Sequence, residues 1–583
     1  MSGSSPFASK FNTNFYPTDE ETDEIRALLI EPLAQLISID EQIASLLEQR
    51  KSIAAYVALA DHQALIAPLR RLPTDILEQI FLACLPADRL AGMISSDAPL
   101  LLSQICGEWR RVALSLPRLW SRFQIEVPTL EQIEQAYLGA RQREVQWRLE
   151  TTKLWLERSH SVPLSLSMIF DPSRDTILAT LEDAKASHAY PFFVAVISAA
   201  ERWRDVAFTL PELFLKLPEF DTVASTLRLS RLALVPPHYV DDDAVDPDPI
   251  WTRSTPILRI QSLRELKFGE WPSVSPFALP VNWAVLTSLD IALHWLPHST
   301  SNLEYARFQS LDAVLAFVLS ACPELVQFHV KMIDSSDYEE RVSKPDLEAK
   351  NLRVLVLDFV VATFAPLRVL TYLSLPQLRV LRVLTGNRLG ALTNLSTNGI
   401  RHFFTTSSQL ENLWFEPQAF SDKTALEAFL LALPPSLKRL RVWLHPMSDP
   451  VGTTQIFDDE MLDVLVDPAL VPALEVFSLK HVLDITEETI LRFLQKRCGS
   501  DSRLKSVQLE FVHAVGPSDG AFPASILANE HVQALVNAGV DIELRYPRLQ
   551  PLKLSLWTQR ELGHDLGHDF FDVDTWEEDA AFL

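Results

Sequence analysis

Residues 352–384, LRVLVLDFVVATFAPLRVLTYLSLPQLRVLRVL, contain the pattern that decides the fold. The motif L-x-x-L-x-L, with other aliphatic or aromatic residues allowed at its leucine positions, occurs here twice, at residues 352–357 and 378–383. The last two apolar residues of each copy are two apart, so both point to the same face of a short strand. One such strand cannot bury its apolar face alone, and stacking of several copies in a parallel sheet would bury it.

The same motif recurs from residue 263 onward, in copies that start 23 to 39 residues apart. The nine copies are Leu263/Leu266/Phe268, Leu286/Leu289/Ile291, Leu325/Phe328/Val330, Leu352/Leu355/Leu357, Leu378/Leu381/Val383, Leu410/Leu413/Phe415, Leu437/Leu440/Val442, Leu474/Phe477/Leu479 and Leu504/Val507/Leu509. The shorter spacings match the roughly 20–29 residues of a leucine-rich repeat, and the longer ones leave room for helical insertions. We predict an α/β fold: an irregular leucine-rich-repeat solenoid with a parallel sheet and outer helices.

Three stretches between the copies, residues 311–319, 425–433 and 489–495, have helical periodicity and are expected to form the outer layer. Weaker copies of the motif at residues 164–168, 203–208 and 229–234 indicate that the array starts near residue 160. We therefore assign residues 161–546 to the solenoid and residues 126–160 to a helical connector. The alternative is an ordinary α/β domain with leucine-rich strands.

Composition excludes several classes of function. The chain has 583 residues, too many for one hydrophobic core, and a net charge of −24, which disfavours a nucleic-acid partner. It has only 15 glycines and neither a GxGxxG nor a GxxxxGK[ST] motif, which speaks against nucleotide binding. Its four scattered cysteines suit a reducing compartment, and no apolar run approaches the ~20 residues that span a bilayer. We expect a protein of the cytoplasm or nucleus without a membrane partner.

The N-terminal part separates into a polar segment, residues 1–22, expected to be disordered, and a helical segment, residues 23–66. Alternating steps of three and four indicate a coiled-coil seam through Ile43, Leu46, Arg50, Ile53, Val57, Ala60, Ala64 and Ala67. Pro32 interrupts its first half. Two interpretations stay open: self-association of this helix, or an amphipathic helix folded back onto the segment that follows.

Residues 67–125 predict a small module of helices. Thr74 or Asp75 can cap a first helix, whose apolar stripe ends before Pro86. That stripe consists of Ile76, Leu77, Ile80, Phe81 and Cys84. A second helix is expected to carry on one face Leu102, Ile105, Cys106, Trp109, Val112 and Ala113. Its phase makes Cys106 a small core residue and not a nucleophile.

This module resembles the F-box. The shared features are a leucine-proline start, an Ile-Leu-x-x-Ile-Phe helix, a Cys-x-x-Trp-Arg helix and a Pro-x-Leu-Trp end. The connector AGMISSDAPLL, residues 91–101, is longer than is usual in the family. The flanking stretches HQALIAPLRRLP, LWLERSHSVPLSLSM and AERWRDVAFTLP are similar to F-box proteins expanded in mushroom-forming fungi.

The resemblance implies a substrate-recognition adaptor without catalytic chemistry of its own. An F-box binds a Skp-type adaptor and thereby joins a cullin–RING ubiquitin ligase, while the rest of the chain binds an unknown target protein. The residues implied in the adaptor contact, some of which must instead form the module's own core, are Leu72, Pro73, Ile76, Leu77, Ile80, Phe81, Leu85, Trp109 and Trp120. One alternative is an interaction scaffold whose F-box-like helices only cap the solenoid. Another is an enzyme with an unrecognised site.

Candidate target-binding residues lie on the outward side of the predicted strands: Arg382, Trp414, Arg439, Arg441, Trp443 and Lys480. Exposed Trp and Arg are the residue types that most often anchor protein interfaces. Because these cations oppose the overall negative charge, they suit a partner with an acidic segment. The alternative is a solvated face with tryptophans tucked under loops.

No metal or cofactor site is predicted. The acidic loop VDDDAVDPDPIW, residues 240–251, lacks the Gly and distal Glu of a calcium loop and is expected to be a linker. His564 and His568 stand four apart, but in a polar, acidic tail, residues 547–583, that we expect to be unstructured. Neither HExxH nor GxSxG is present, so catalysis is not expected.

Overall fold

The computed structural model describes most of the chain, in segments separated by gaps. The described residues are 5–11, 13, 15–56, 71–87, 89–128, 138–170, 180–219, 228–236, 256–269, 277, 279–293, 311–332, 347–362, 366–388, 397–420, 422–443, 456–482, 485–498, 503–511, 526 and 529–545. The chain divides into two units, residues 1–79 and 80–583. The part of the predicted seam from Val57 to Ala67 lies outside the described residues.

Helices occur in both units. The α-helices are α1 (Asp19–Tyr56), α2 (Thr74–Ala83), α3 (Leu102–Ile105), α4 (Gly107–Ser115), α5 (Leu138–Arg158), α6 (Leu181–Ala186), α7 (Tyr190–Ile197), α8 (Glu212–Leu215), α9 (Leu311–Ala321), α10 (Thr397–Thr406), α11 (Lys423–Leu430), α12 (Asp459–Val464), α13 (Glu487–Arg497) and α14 (Glu530–Asn537). Short 3-10 helices span Ala8–Lys10, Pro117–Trp120, Ala200–Arg202, Pro256–Arg259, Trp283–Val285, Pro366–Tyr372 and Pro417–Ala419.

The first unit contains one long helix, α1. It begins with a capping box, in which the backbone N of Thr18 donates to Glu21 Oε2 at 2.9 Å and the backbone N of Glu21 donates to Thr18 Oγ1 at 3.3 Å. The helix continues through Pro32 without ending. Because α1 starts at Asp19, and residues 8–10 already form a 3-10 helix, regular structure begins inside the segment that we expected to be disordered.

Among the described residues the second unit contains 16 strands, and 14 of them form one parallel sheet. The strands are β1 (Arg122–Glu126), β2 (Leu164–Ile169), β3 (Trp203–Thr209), β4 (Arg231–Val235), β5 (Glu265–Phe268), β6 (Ser288–Leu293), β7 (Gln327–Met332), β8 (Leu347–Glu348), β9 (Val354–Ala362), β10 (Leu373–Ser374), β11 (Val380–Arg388), β12 (Asn412–Phe415), β13 (Arg439–Trp443), β14 (Val476–Val482), β15 (Ser506–Phe511) and β16 (Asp541–Arg545). They follow chain order across the sheet, except that β8 and β10 form a separate two-stranded pair.

The predicted solenoid is confirmed. In each of the nine motif copies the last two apolar residues lie in a strand and are buried. The register aligns them across the sheet, so that Leu381 pairs with Leu355 on one side and with Leu413 on the other. The three weaker copies form β2, β3 and β4. Most of the core therefore consists of layers of apolar side chains on one face of the sheet. A smaller buried cluster lies on the opposite face of β9 and β11 and consists of Val354, Val356 and Val380.

Outer helices cover that apolar face, as predicted. Residues 311–319 form most of α9, the whole predicted stretch 489–495 lies in α13, and the first six residues of the stretch 425–433 lie in α11. Phe415 on β12 contacts Phe429 on α11 with ring centroids 5.4 Å apart, and Phe477 on β14 lies 4.9 Å from Phe493 on α13. Short polar side chains start two of these helices: Asp422 accepts from Ala425 N at the start of α11, and Thr486 accepts from Thr489 N at the start of α13.

The sheet starts earlier than the sequence indicated. Strand β1 pairs with β2 along its whole length, so the sheet begins at Arg122 and not near residue 160. The motif in fact extends to β1, because Trp120, Phe123 and Ile125 have its spacing, with a leading tryptophan as in the copy at residues 203–208. This copy overlaps the Pro-x-Leu-Trp end of the helical module, to which Trp120 was assigned instead. Within the described part of the chain, no helix combines the length and apolarity that crossing a bilayer requires.

Candidate functional site

Helix α2 separates the residues of the predicted apolar stripe into buried and exposed ones. Leu77 and Phe81 are buried, whereas Ile76 keeps 44% of its surface exposed. Pro73 is exposed, and the remaining predicted contacts of this segment, Leu72, Ile80 and Leu85, are half-buried. Burial therefore assigns Leu77 and Phe81 to the interior and leaves the other residues of this segment on a surface that a partner could cover.

The second predicted helix is in fact two helices, α3 and α4. Cys106 separates them in an extended conformation, with φ −158° and ψ 170°, and its Sγ accepts from the backbone N of Trp109 at 3.5 Å. The prediction that Cys106 is buried was wrong, since the residue is exposed. A continuous helix would have placed Ile105 beside the core, but the break turns it outward, and it is 57% exposed.

The two predicted tryptophan contacts have different environments. Trp109 is half-buried, and its ring centroid lies 4.9 Å from that of Phe81. Trp120 is completely buried: its Nε1 donates to the carbonyl oxygen of Ala113 at 2.8 Å, and its ring meets Trp155 edge-on at 5.1 Å. Trp109 can therefore contact a partner, whereas Trp120 belongs to the interior.

The long connector before α3 packs on the edge of the sheet. Ala91 is buried and forms a parallel bridge with Phe123 on β1. Arg89 donates to Asp97 Oδ2 at 2.7 Å, and this hydrogen bond holds the pKa of the Asp97 carboxyl below its usual value. The connector thus covers the outer edge of the first strand, which would otherwise expose unpaired backbone groups.

A cleft of about 670 Å³ lies beside β1. Its apolar lining includes Met93, Ile94 and Trp147, and its charged lining includes Arg148, which donates to the carbonyl oxygen of Glu126 at 3.1 Å. The cleft was not foreseen, because its walls come from the connector, from the first strand and from α5.

The six predicted target-binding residues form one surface on β11–β14, which we call the cation–aromatic strip: Arg382, Trp414, Arg439, Arg441, Trp443 and Lys480. Register brings them together. Arg382 pairs with Trp414, Trp414 with Arg441, and Trp443 with Lys480 across neighbouring strands. All six lie on the side of the sheet opposite the outer helices, because they alternate with the buried motif residues. Lys480 is exposed and the other five are half-buried.

Within the strip, cations lie over aromatic rings. The Trp414 and Trp443 rings stack with centroids 5.4 Å apart at 22°. The Arg382 guanidinium is 5.2 Å from the Trp414 centroid, and Lys480 Nζ is 5.5 Å from the Trp443 centroid. Such contacts are worth about 0.5–1 kcal/mol at exposed sites. The arrangement therefore presents positive charge beside two stacked indole rings.

Carboxyls border the strip on neighbouring strands, where Asp358 lies on β9 and Glu510 on β15 pairs in register with Lys480. Another carboxyl, that of Glu416, directly follows β12. It is buried, and its Oε2 accepts from the backbone N of Thr385 at 2.7 Å and from Thr385 Oγ1 at 3.1 Å. Burial raises the pKa of Glu416 to about 8, against the lowering effect of the Thr385 hydrogen bonds and with a smaller raising contribution from Asp358. At neutral pH this carboxyl is mostly protonated, so it does not cancel the cations of the strip.

A second polar group on the same face of the sheet, which we call the ion cluster, was not foreseen: Lys267 on β5, Asp290 on β6 and His329 on β7. Asp290 lies 3.3 Å from Lys267 Nζ and 3.0 Å from His329 Nδ1. Burial alone would raise the pKa of Asp290, but attraction by His329 and Lys267 outweighs it and holds that pKa well below its usual range. These residues are 62 positions apart from first to last, so only the register of the strands could reveal the cluster.

Both stretches weighed as metal sites, residues 240–251 and the pair His564 and His568, lie outside the described residues. Among the described residues, no three His, Cys, Asp or Glu side chains gather in a way that could hold a metal ion.

Comparison with known proteins adds little. No family model matches the chain, and no curated protein matches it significantly. Among solved structures, a protein from Bacteroides fragilis is 13% identical with a TM-score of 0.28, over 55% of this chain and 76% of that chain. The yeast complex of Rad7 and Elc1 is 13% identical with a TM-score of 0.31, over 75% of this chain and 95% of that chain. At these values neither structure bears on the function of this chain.

Proposed function

We propose that this chain is a substrate-recognition adaptor of a Skp–cullin–F-box type ubiquitin ligase. It docks on a Skp-type adaptor through the F-box-like helices and binds a target protein through the repeat array. The observation that carries the proposal is the set of apolar side chains that α2–α4 leave accessible in a segment with F-box spacing, Ile76 and Ile105 foremost. Accessible apolar groups in a helical module are typical of a surface that a partner covers.

The docking contact, in this proposal, uses the predicted contact residues that keep accessible surface, namely Leu72, Pro73, Ile76, Ile80, Leu85 and Trp109. We add Ile105 to them, because it is 57% exposed although the sequence pattern had placed it in the core. Leu77, Phe81 and Trp120 have no accessible surface to offer, so their contribution is to hold the helices in place.

The mechanism is proximity. A target held by the array has its lysines kept near the ubiquitin carrier of the ligase, which raises the effective concentration without a catalytic group from this chain. Two features support a non-enzymatic role. Burial raises the pKa of Cys322 to about 12 and that of Cys498 to about 11, which suppresses the thiolate. The buried carboxyl of Glu416 follows β12, which is nine strands along the sheet from β1, so this carboxyl and the cleft beside β1 do not form one site.

The adaptor contact is tested with the purified full chain and a Skp-type adaptor. Ile76→Asp is the preferred variant, because the residue is exposed and the change leaves the interior intact. We expect it to weaken the complex at least tenfold, since one buried side chain of this size contributes about 1.5–3 kcal/mol. Leu431→Asp on the outer side of the array, where the leucine is 51% exposed, is the matched control and should leave the complex unchanged. Absence of a complex with the unmodified chain would refute the proposal.

The second candidate function is an interaction scaffold in which the helices only cap the solenoid. The bridge between Ala91 and Phe123 favours it, because this contact covers the edge of the sheet whether or not a partner binds. As a pure cap, the module would bind no Skp-type adaptor, and Ile76→Asp would change neither binding nor stability. The adaptor experiment therefore separates the two functions.

A further inference from the structure

Helix α1 exposes more large apolar side chains than any other element among the described residues. All residues from 26 to 53 are exposed along its 38-residue length. Eleven of them are large and apolar: Leu28, Leu29, Ile30, Leu33, Leu36, Ile37, Ile39, Ile43, Leu46, Leu47 and Ile53. Helices in water owe most of their stability to packing of an apolar face, so a helix of this composition needs a partner.

The spacing of these residues defines the partner as another helix. Counting from Leu29, the positions at alternating steps of three and four are Leu29, Pro32, Leu36, Ile39, Ile43, Leu46, Arg50 and Ile53. Six of these eight seam positions carry leucine or isoleucine, the pattern of a coiled coil. Leu28, Leu33 and Leu47 flank the seam and widen its apolar face. The two weak positions, Pro32 and Arg50, stand near opposite ends of the seam.

That placement makes the seam self-complementary in one orientation. In a parallel pair, Arg50 would meet the Arg50 of the other copy inside the interface. In an antiparallel pair centred on residue 41, Arg50 faces Pro32, Leu29 faces Ile53, Leu36 faces Leu46, and Ile39 faces Ile43. The weak positions then meet each other, and all remaining layers are leucine or isoleucine.

Charge favours the same orientation. Residues 19–37 contain six acids and one arginine, whereas residues 38–56 contain three acids, one arginine and one lysine. A parallel pair would bring the two strongly acidic halves together. An antiparallel pair places each acidic half beside the nearly neutral half of the other copy, which lowers the repulsion.

We propose that the chain forms a homodimer through an antiparallel pair of α1 helices, in the register that sets Arg50 opposite Pro32. The docking helices and the array are then present twice in one assembly. This proposal does not depend on the adaptor function.

The first test measures the association of the full chain by sedimentation equilibrium over a range of concentrations. Ile43→Asp, at the centre of the seam, should weaken the dimer by about 100-fold or more, because each dimer loses two buried side chains. Ile37→Asp is the matched control: it makes the same change on the same helix but off the seam, and should alter the dissociation constant little. A chain that stays monomeric at tens of micromolar, or equal effects of both variants, would overturn the proposal. So would a monomer whose melting temperature falls with Ile43→Asp, since α1 would then pack on its own chain.

The second test concerns the orientation. In the antiparallel register Gln42 lies beside the Gln42 of the other copy, whereas Gln49 lies beside Gln35. In a background where the two exposed cysteines are replaced by Cys84→Ser and Cys106→Ser, Gln42→Cys should therefore cross-link with a short thiol reagent and Gln49→Cys should not. Equal cross-linking of both would indicate parallel helices and contradict the proposed register.

Discussion

Two regions of the same sheet face treat charge differently. On β4–β7 cations and carboxylates alternate and neutralise each other: Arg231 lies 2.7 Å from Glu265, and Asp290 lies between Lys267 and His329. Strands β11–β14 contain no Asp or Glu, and three of their cations lie over tryptophan rings: Arg382 and Arg441 over Trp414, and Lys480 over Trp443. In the first region, these cations and carboxylates form ion pairs with each other. The second keeps positive charge beside aromatic faces in a chain of net charge −24, so it is the region suited to an acidic partner.

The largest effect is expected from Glu416→Gln, at the boundary of the strip, and it concerns how the free energy of unfolding depends on pH. The pKa of Glu416 is raised to about 8 in the folded chain, so between its ordinary value, near 4.5, and 8 the folded state holds a proton that the unfolded state has lost. The free energy of unfolding should therefore fall as the pH rises through this window, by about 5 kcal/mol, and level off above it. Urea denaturation from pH 5 to 9 measures the slope. Glu416→Gln should remove it, and an identical slope in the variant would show that Glu416 is not its source.

The next effect concerns the ion cluster. Asp290→Ala leaves Lys267 and His329 without their carboxylate, and we expect a loss of about 2–4 kcal/mol in the free energy of unfolding, since the pair is largely but not fully buried. Asp290→Asn keeps the shape without the charge and serves as the companion variant. Chemical denaturation at pH 7 checks both. Substitutions at ordinary surface positions change the free energy of unfolding by up to ~0.5 kcal/mol. A loss no larger than this for Asp290→Ala would mean that the ion cluster contributes no more to stability than the strip does.

A binding experiment then tests the strip. A fluorescent polyglutamate peptide carrying one tyrosine is expected to bind the full chain in a salt-dependent manner. The double variant Arg382→Gln/Arg441→Gln, which removes both cations beside Trp414, should weaken binding about tenfold, at roughly 0.7 kcal/mol per cation. Arg231→Gln in the paired region is the control and should have no effect. Equal weakening by both would mean that overall charge, and not the strip, attracts the peptide.

The smallest effect is on stability within the strip. Arg441→Gln alone should change the free energy of unfolding by less than about 1 kcal/mol, because a half-exposed cation over a ring contributes little to folding. Thermal denaturation of Arg441→Gln and of Asp290→Ala under the same conditions compares the two losses of stability directly. A loss as large as that of Asp290→Ala would reveal a structural role for Arg441 and remove the distinction between the regions.

The docking module shows how far sequence reasoning reaches and where it stops. Spacing predicted α2 and its apolar stripe, because residues three and four apart share one face of a helix. It did not say which residues of the stripe are buried; the structure buries Leu77 and Phe81 and leaves Ile76 exposed. Spacing failed at Cys106, where a cap interrupts the helix, since local hydrogen bonding at one residue overrides the period and turns Ile105 outward. Whether the module docks on a Skp-type adaptor stays a prediction.

The sequence by itself determined the solenoid. The two-residue alternation within each motif fixes which side chains face the core, and the return of the motif every few dozen residues requires stacking, so each step depends only on neighbours in the chain. The tertiary structure decided what the other face contains. Lys267, Asp290 and His329, or Arg382, Trp414 and Arg441, come from strands separated by 20 or more residues. Which of them meet depends on register, and register is set by the buried residues on the opposite side of each strand.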